Sequence, residues 1–241
     1  MDPYSWSWNP EALALVPALT IGYLWTIRRH PAPRWRVACW FASMALIWAV
    51  SITPIDTISL HYLLSVHLIQ NVVLAEWAPL LFVLAIPPSL AKVLPRVPAI
   101  PALLLWAVNY GVWHLPWLYD TALRHQHTLL HLEHAMYFTT GVLLWWPVVH
   151  GSLSSGAKSA YVFAAFLLAS PIGLMMALVP DPIYDFYLDA PQRLWGLSPM
   201  LDQEIAGVAM AAAEAIVFFA AFAYFFARFF AEQDAVQDDA A

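Results

Sequence analysis

Seven of the chain's nine histidines, His61, His67, His114, His125, His127, His131 and His134, fall between positions 61 and 134. On a helix turning about 100° per residue, His127, His131 and His134 stand at i, i+4 and i+7 and share one stripe. His67 is followed at i+3 and i+4 by Gln70 and Asn71, and Tyr110 precedes His114 by one turn. Imidazoles from several segments suit copper, zinc or iron, and thioether sulfur added to imidazole favours Cu(I). Met175 and Met176 could supply that sulfur, and Met210 is a further supporting candidate. Glu133 is expected to point away from the His127 stripe, as a supporting group and not a ligand. The single cysteine, Cys39, leaves no disulfide and no thiolate pair within the chain.

The elements that must position these groups are membrane helices. Of 241 residues 62% are apolar and 11% charged, against about 45–50% and about 25% in a soluble domain. A spanning helix needs about 20 mostly apolar residues. That ruler predicts an all-α, single-domain bundle of seven spans, roughly 10–27, 36–53, 60–87, 98–114, 128–149, 159–179 and 203–230. The third should tilt, or kink at Pro79. Residues 232–241 read as a flexible acidic tail, and no removed leader is expected because the first span lacks a basic start. Arg28, Arg29, Arg34, Arg36, Lys92, Arg96, Lys158 and Arg228 fall in the odd-to-even loops and at the C-terminal end. The positive-inside rule then puts the N-terminus outside, the C-terminus in the cytoplasm and seven histidines at or near the outer face. Most tryptophans near span ends read as an interface belt.

Ionisable groups inside a bilayer are costly and usually functional. Glu76 and Glu214 are two buried carboxyls, read either as a proton or cation route or as a hydrogen-bonded clamp between helices. Gln203, Gly207, Met210 and Glu214 share one face of the last span. Gly207 and Gly111 are expected at close helix contacts. Asp181, Asp185, Asp189 and Asp202 form an acidic loop or mouth at the outer face. With a net charge of −6, nucleic acid is not an expected partner.

The segments His67-Leu-Ile-Gln70-Asn71 and Leu74-Ala-Glu76-Trp-Ala-Pro79-Leu-Leu resemble the third helix of CtaG-type assembly factors of bacterial cytochrome c oxidase. Trp113-His114-Leu-Pro116-Trp-Leu-Tyr119-Asp120, Leu132-Glu133-His134, Trp145-Trp146-Pro147 and Asp202-Gln203-Glu-Ile-Ala-Gly207-Val-Ala-Met210 extend the resemblance over about residues 60–150 and 200–215. It implies a role in maturing heme–copper oxidase, with copper handled at the outer face of the bacterial inner membrane. By position it points to His67, His114, His134 and the Asp202–Gln203 pair, supported by Asp120. Many members carry a histidine where this chain has Asn71; if that histidine is a ligand in them, His61 or Gln70 substitutes here or the site is weaker.

The function expected is a non-enzymatic assembly factor, a copper chaperone binding one copper ion, as Cu(I). Its core would be His67, His131 and His134, with His114 and His127 as first-contact or supporting groups. Glu133, Tyr110 or Asp120 would hold the second ring nitrogens. Expected partners are oxidase subunits or a copper donor at the outer face, the lipid bilayer, and a second copy of the chain in a homo-oligomer. The alternatives are a b-type heme protein with His67 and His134 as axial ligands, and a scaffold whose histidines only bridge helices. No nucleophile–base pair stands at a usable spacing.

Overall fold

Prolines and short polar caps start several of the helices. Asn9 accepts from the backbone N–H groups of Glu11 (3.0 Å) and Ala12 (3.3 Å), with Pro10 at the first helical position. Thr53 caps the helix opened by Pro54, and Ser154 caps the one that begins at Ser155. The computed structural model describes residues 2–238 and, among them, contains helices and no strand. The long elements are α1 (Pro10–Arg29), α2 (Arg34–Ile52), α7 (Ala99–Trp113), α9 (His131–Val149), α10 (Ser155–Leu178) and α11 (Pro199–Asp238). A further rod, Leu64–Ala85, is built from α4 (Leu64–Val72), a π-helical turn (Val73–Trp77) and α5 (Ala78–Ala85). Short helices connect them: α3 (Pro54–His61), α6 (Pro88–Ala91) and α8 (Pro116–Arg124).

Five of these rods are long and apolar enough to cross a membrane: Pro10–Arg29, Arg34–Ile52, Leu64–Ala85, Ser155–Leu178 and Pro199–Ala235. Helix α7 is apolar but has only 15 residues. The last helix extends beyond the expected end at 230. It runs 40 residues, about 60 Å, and includes the acidic stretch from Glu232 to Asp238 that was expected to be a flexible tail. Residues 239–241 of that tail lie outside the described residues.

The expected kink at Pro79 takes the form of the π-turn. Proline has no N–H to give Ala75 and its ring crowds that carbonyl. The chain widens instead, and Ala78 N–H reaches back five residues to the Val73 carbonyl. The carbonyls around the turn find side-chain donors. Trp145 Nε1–H donates to Glu76 O (2.9 Å) and Ser43 Oγ–H to Ala78 O (2.7 Å). Arg36 closes the end of the rod by donating to the carbonyls of Leu84 and Ile86.

Three glycines permit the tightest helix packing. Gly141 of α9 lies on the wide turn, where a Cβ would run into the Ala75 carbonyl oxygen and the Pro79 ring. Gly173 of α10 and Gly207 of α11 meet face to face, each blocking a side chain on the other with its carbonyl oxygen. Gly111, expected at such a contact, has open space beside it. Gly141→Leu should therefore abolish the folded, monodisperse protein in detergent. Gly111→Ala should be neutral or raise the melting temperature, since alanine gains about 1 kcal/mol over glycine inside a helix. Size-exclusion profiles and thermal melts of the two variants check this.

Candidate functional site: a buried imidazole layer

Rod Leu64–Ala85 forms the centre of the bundle, packed against α2, α9 and α11. His67, Gln70, Asn71 and Glu76 are completely buried on it. Helix α4 lacks a side-chain cap of its own. Asp202 of α11 supplies one, accepting from the N–H groups of Leu64 (2.7 Å) and Ser65 (3.1 Å) and from Ser65 Oγ (2.5 Å). Gln203 beside it accepts from Ile183 N–H (2.6 Å) and donates to the carbonyls of Met176 and Asp181. The pair carries structure: it ties the α10–α11 connection and the first turn of α4 to α11. Asp120 acts the same way, accepting from the N–H groups of Asp185 (3.1 Å) and Phe186 (3.2 Å).

That connection delivers Tyr184 and Tyr187 into the interior. Tyr187 O–H donates to the Ser59 carbonyl at 2.6 Å, so its oxygen can only accept from His67 Nδ1–H, 2.7 Å away. His114 Nδ1 lies 2.7 Å from the Tyr110 carbonyl oxygen, which can only accept. In both rings the proton is therefore held on Nδ1 and the lone pair stands on Nε2. His67 Nε2, His114 Nε2 and His134 Nε2 are buried and have no hydrogen-bond partner. The His67 and His134 ring centroids are 6.2 Å apart, edge to face. Tyr119 separates His67 from His114, its ring 5.2 Å from one and 6.2 Å from the other. Tyr137 OH is 3.4 Å from His114 Nδ1. Asn71 Nδ2–H donates to Glu133 Oε1 (3.4 Å), which leaves the Asn71 oxygen buried and without a donor.

The structure thus brings together His67, His134 and, across Tyr119, His114. It separates His127 and His131 from them. A second π-turn, Gln126–Leu130, precedes α9; His127 still neighbours His131, ring centroids 6.2 Å apart, but neither joins the buried layer of His67 and His134. His127 is exposed. His131 turns outward to Glu11 of α1, Nδ1 to Oε2 2.8 Å. Glu133, expected to point away, is 1% exposed and faces the layer. The substitutes for Asn71 are also elsewhere. Gln70 is saturated by Val50 O, Asp56 and Ser59, and His61 lines a crevice with Arg124 and Asp189. Met175 is 45% exposed, while Met176 and Met210 are buried in the core beside Gln203 and Gly207. Among the described residues, no group of three or more His, Cys, Asp or Glu is arranged to hold one metal ion.

The tyrosines were not anticipated. Tyr119, Tyr137, Tyr184 and Tyr187 are almost fully buried and wall the imidazoles. The run Ile183-Tyr184-Asp185-Phe186-Tyr187 was the available signal: an apolar, aromatic stretch inside a loop otherwise read as acidic and solvated.

Such a bundle, with helices apolar enough to cross a membrane and an interior of imidazole, phenol and carboxyl, is a membrane-type helical protein built around a polar core. Over residues 21–232 it matches the cytochrome c oxidase caa3 assembly factor family (Caa3_CtaG), and the chain belongs to that family. No curated protein and no solved structure matches it.

A hydrogen-bonded chain anchors His67 from outside the spanning rods. Asp56 Oδ1 accepts from Gln70 Nε2 (2.9 Å), Gln70 Oε1 from Ser59 Oγ (2.7 Å), and Ser59 O from Tyr187. Burial pushes the Asp56 carboxyl up to about 6, opposed by hydrogen bonds from Ser7 and Gln70. An unfolded aspartate titrates near about 3.9, so the folded state holds an extra proton between these values. Its contribution is full below about pH 4 and is lost as pH rises through about 6, some ~3 kcal/mol in all. Asp56→Asn should flatten the wild-type fall in melting temperature between pH 4 and 7. An unchanged slope in that variant contradicts the assignment.

Proposed function

We propose that this assembly factor carries copper for its oxidase, passing the ion between the buried imidazoles instead of enclosing it in a closed site. The observation that supports this is the set of three buried Nε2 atoms without partners, two of them with the tautomer fixed by a hydrogen bond at Nδ1. A buried polar atom left unpaired is costly unless a ligand uses it. Imidazole suits copper, and the buried Met176 sulfur is not needed. His67 and His134 form the holding pair, with His114 the next position across the Tyr119 ring. Few ligands suit a cargo that must be released. His134 is partly exposed and also lines a crevice of about 280 Å³ between α1, α2 and α9, rimmed by Glu11 and His131. That crevice is the route by which the ion reaches the pair.

In this reading the chain crosses the bacterial inner membrane seven times, the five long rods joined by α7 and α9. The N-terminus and the imidazole layer lie toward the outer face, and the basic loops toward the cytoplasm. An oxidase subunit or a copper donor docks at the imidazole end, and the protein catalyses no reaction of its own.

Purified protein titrated with Cu(I) under anaerobic conditions should bind about one ion per chain. His67→Ala and His134→Ala should each abolish that binding, whereas His127→Ala and His131→Ala should retain it. Tyr187→Phe removes the acceptor for His67 Nδ1–H and should weaken binding about 10–100-fold, the usual effect of losing a group that orients a ligand. Wild type that binds no copper, or binding unchanged in His67→Ala and His134→Ala, refutes the reading. A Soret band in the purified protein would favour heme instead. Orientation is checked separately in a Cys39→Ser background. A membrane-impermeant maleimide should label Asp189→Cys in intact spheroplasts and leave Arg96→Cys unlabelled until lysis.

A further inference from the structure

Glu76 and Glu214 occupy the middle of the bundle, both completely buried. Trp77 Nε1–H donates to the Ala213 carbonyl (3.1 Å), which brings the π-turn against α11 at the level of these two residues. They are close enough for a charge on one to act on the other. Glu214 Oε1 accepts from Tyr110 O–H at 2.7 Å. Glu214 Oε2 and both oxygens of Glu76 have no partner. No base is at hand: among the described residues the ion pairs are His131–Glu11 and Arg228–Glu232, both elsewhere. Of the packed elements, α7 supplies Tyr110 and α9 supplies Tyr137, its ring 5.6 Å from that of Tyr110. From α10 come Ala165, Ala169 and Gly173, which do not titrate, and Tyr161, whose hydroxyl donates to the Leu144 carbonyl. Aromatic rings pack nearby: Trp106 stacks on Tyr110, and Trp106 and Trp145 both contact Phe218.

We propose that Glu76 and Glu214 together bind a proton in the bundle core, and that this proton is released to water when a copper ion occupies the imidazoles. Two neighbouring carboxylates without a cation cannot both stay charged in an apolar interior. A shared proton relieves the pair, and both free Glu76 oxygens can take part. Tyr110 links the two layers, since its carbonyl takes the His114 Nδ1 proton and its hydroxyl donates to Glu214. Copper binding brings one positive charge into the core. His67 and His114 hold their protons on Nδ1, and a neutral His134 likewise binds through its unprotonated nitrogen, so copper displaces no proton from these rings. The compensating change is Glu–COOH to Glu–COO⁻ with one H⁺ entering solution, and the charge in the core is conserved.

The proton site itself does not depend on the copper reading, while its release does. Infrared spectra of the copper-free protein should show a protonated-carboxyl band, sensitive to D₂O, that is missing in the Glu76→Gln, Glu214→Gln double variant. A band identical in both proteins overturns the proton site. In weakly buffered solution with a pH indicator, wild type should release about one proton per Cu(I) bound. The double variant, which keeps the isosteric amides and all the histidines, should bind Cu(I) and release none. Equal release from the two proteins overturns the coupling. If wild type binds no copper, both the proposed function and the coupling fall, and the infrared band alone decides whether the carboxyls hold a proton.

Discussion

A neutral imidazole offers its lone pair at one nitrogen, and a hydrogen bond accepted from the N–H of the other decides which. That constraint organises this structure. At His114 the acceptor is the Tyr110 carbonyl, four residues earlier on the same helix, and needs no other part of the fold. At His67 it is the hydroxyl of Tyr187, 120 residues further along, and the arrangement of the entire imidazole end serves that contact. Tyr187 must enter the interior, its own proton must go to Ser59, and Ser59 must be fixed by Gln70 and Asp56.

The remaining polar residues at that end hold the same frame. Asp202 gives α4 the cap its own sequence lacks, because Leu63 at the capping position has no acceptor. Gln203 and Asp120 take up the backbone of the segment carrying Tyr184 and Tyr187. Residues that could pass for ligands by type thus do the work of capping. The distinction is visible in their saturation. Gln70, Gln203, Asp120 and Asp202 all make multiple hydrogen bonds, whereas the three imidazoles each keep a buried nitrogen free.

The sequence made the helices legible because apolar length is a one-dimensional signal; most of each expected stretch is helical, but the third, 60–87, is broken at Tyr62–Leu63, so its rod begins only at Leu64. It also pointed to His67, His114 and His134. What it could not show was the local helix pitch. Periodicity arguments assume about 3.6 residues per turn, and both π-turns fall where that assumption mattered. One lies between His127 and α9; the other carries Glu76 where Trp77 ties the turn to α11. Pro79 signalled the second. No proline marks the first, so nothing in residues 126–130 distinguished it from ordinary helix. The tyrosine walls were hidden for a different reason. A phenol is apolar enough to be counted as core, and its hydroxyl acquires a role only through contacts distant in sequence.

If the proposed copper role holds, these features would separate holding from releasing. A closed site of three or four converging ligands would bind copper tightly and surrender it slowly. Here two imidazoles stand 6.2 Å apart, a third lies behind a tyrosine ring, and an acidic pair sits further along the same core. The ion would meet free lone pairs in sequence, each in a dry environment that penalises uncompensated charge. On the proposed copper role, the affinity of the upper layer would be set partly by the protonation of the lower one. Electrostatics between layers, rather than the number of ligands in either, would then decide when the ion leaves.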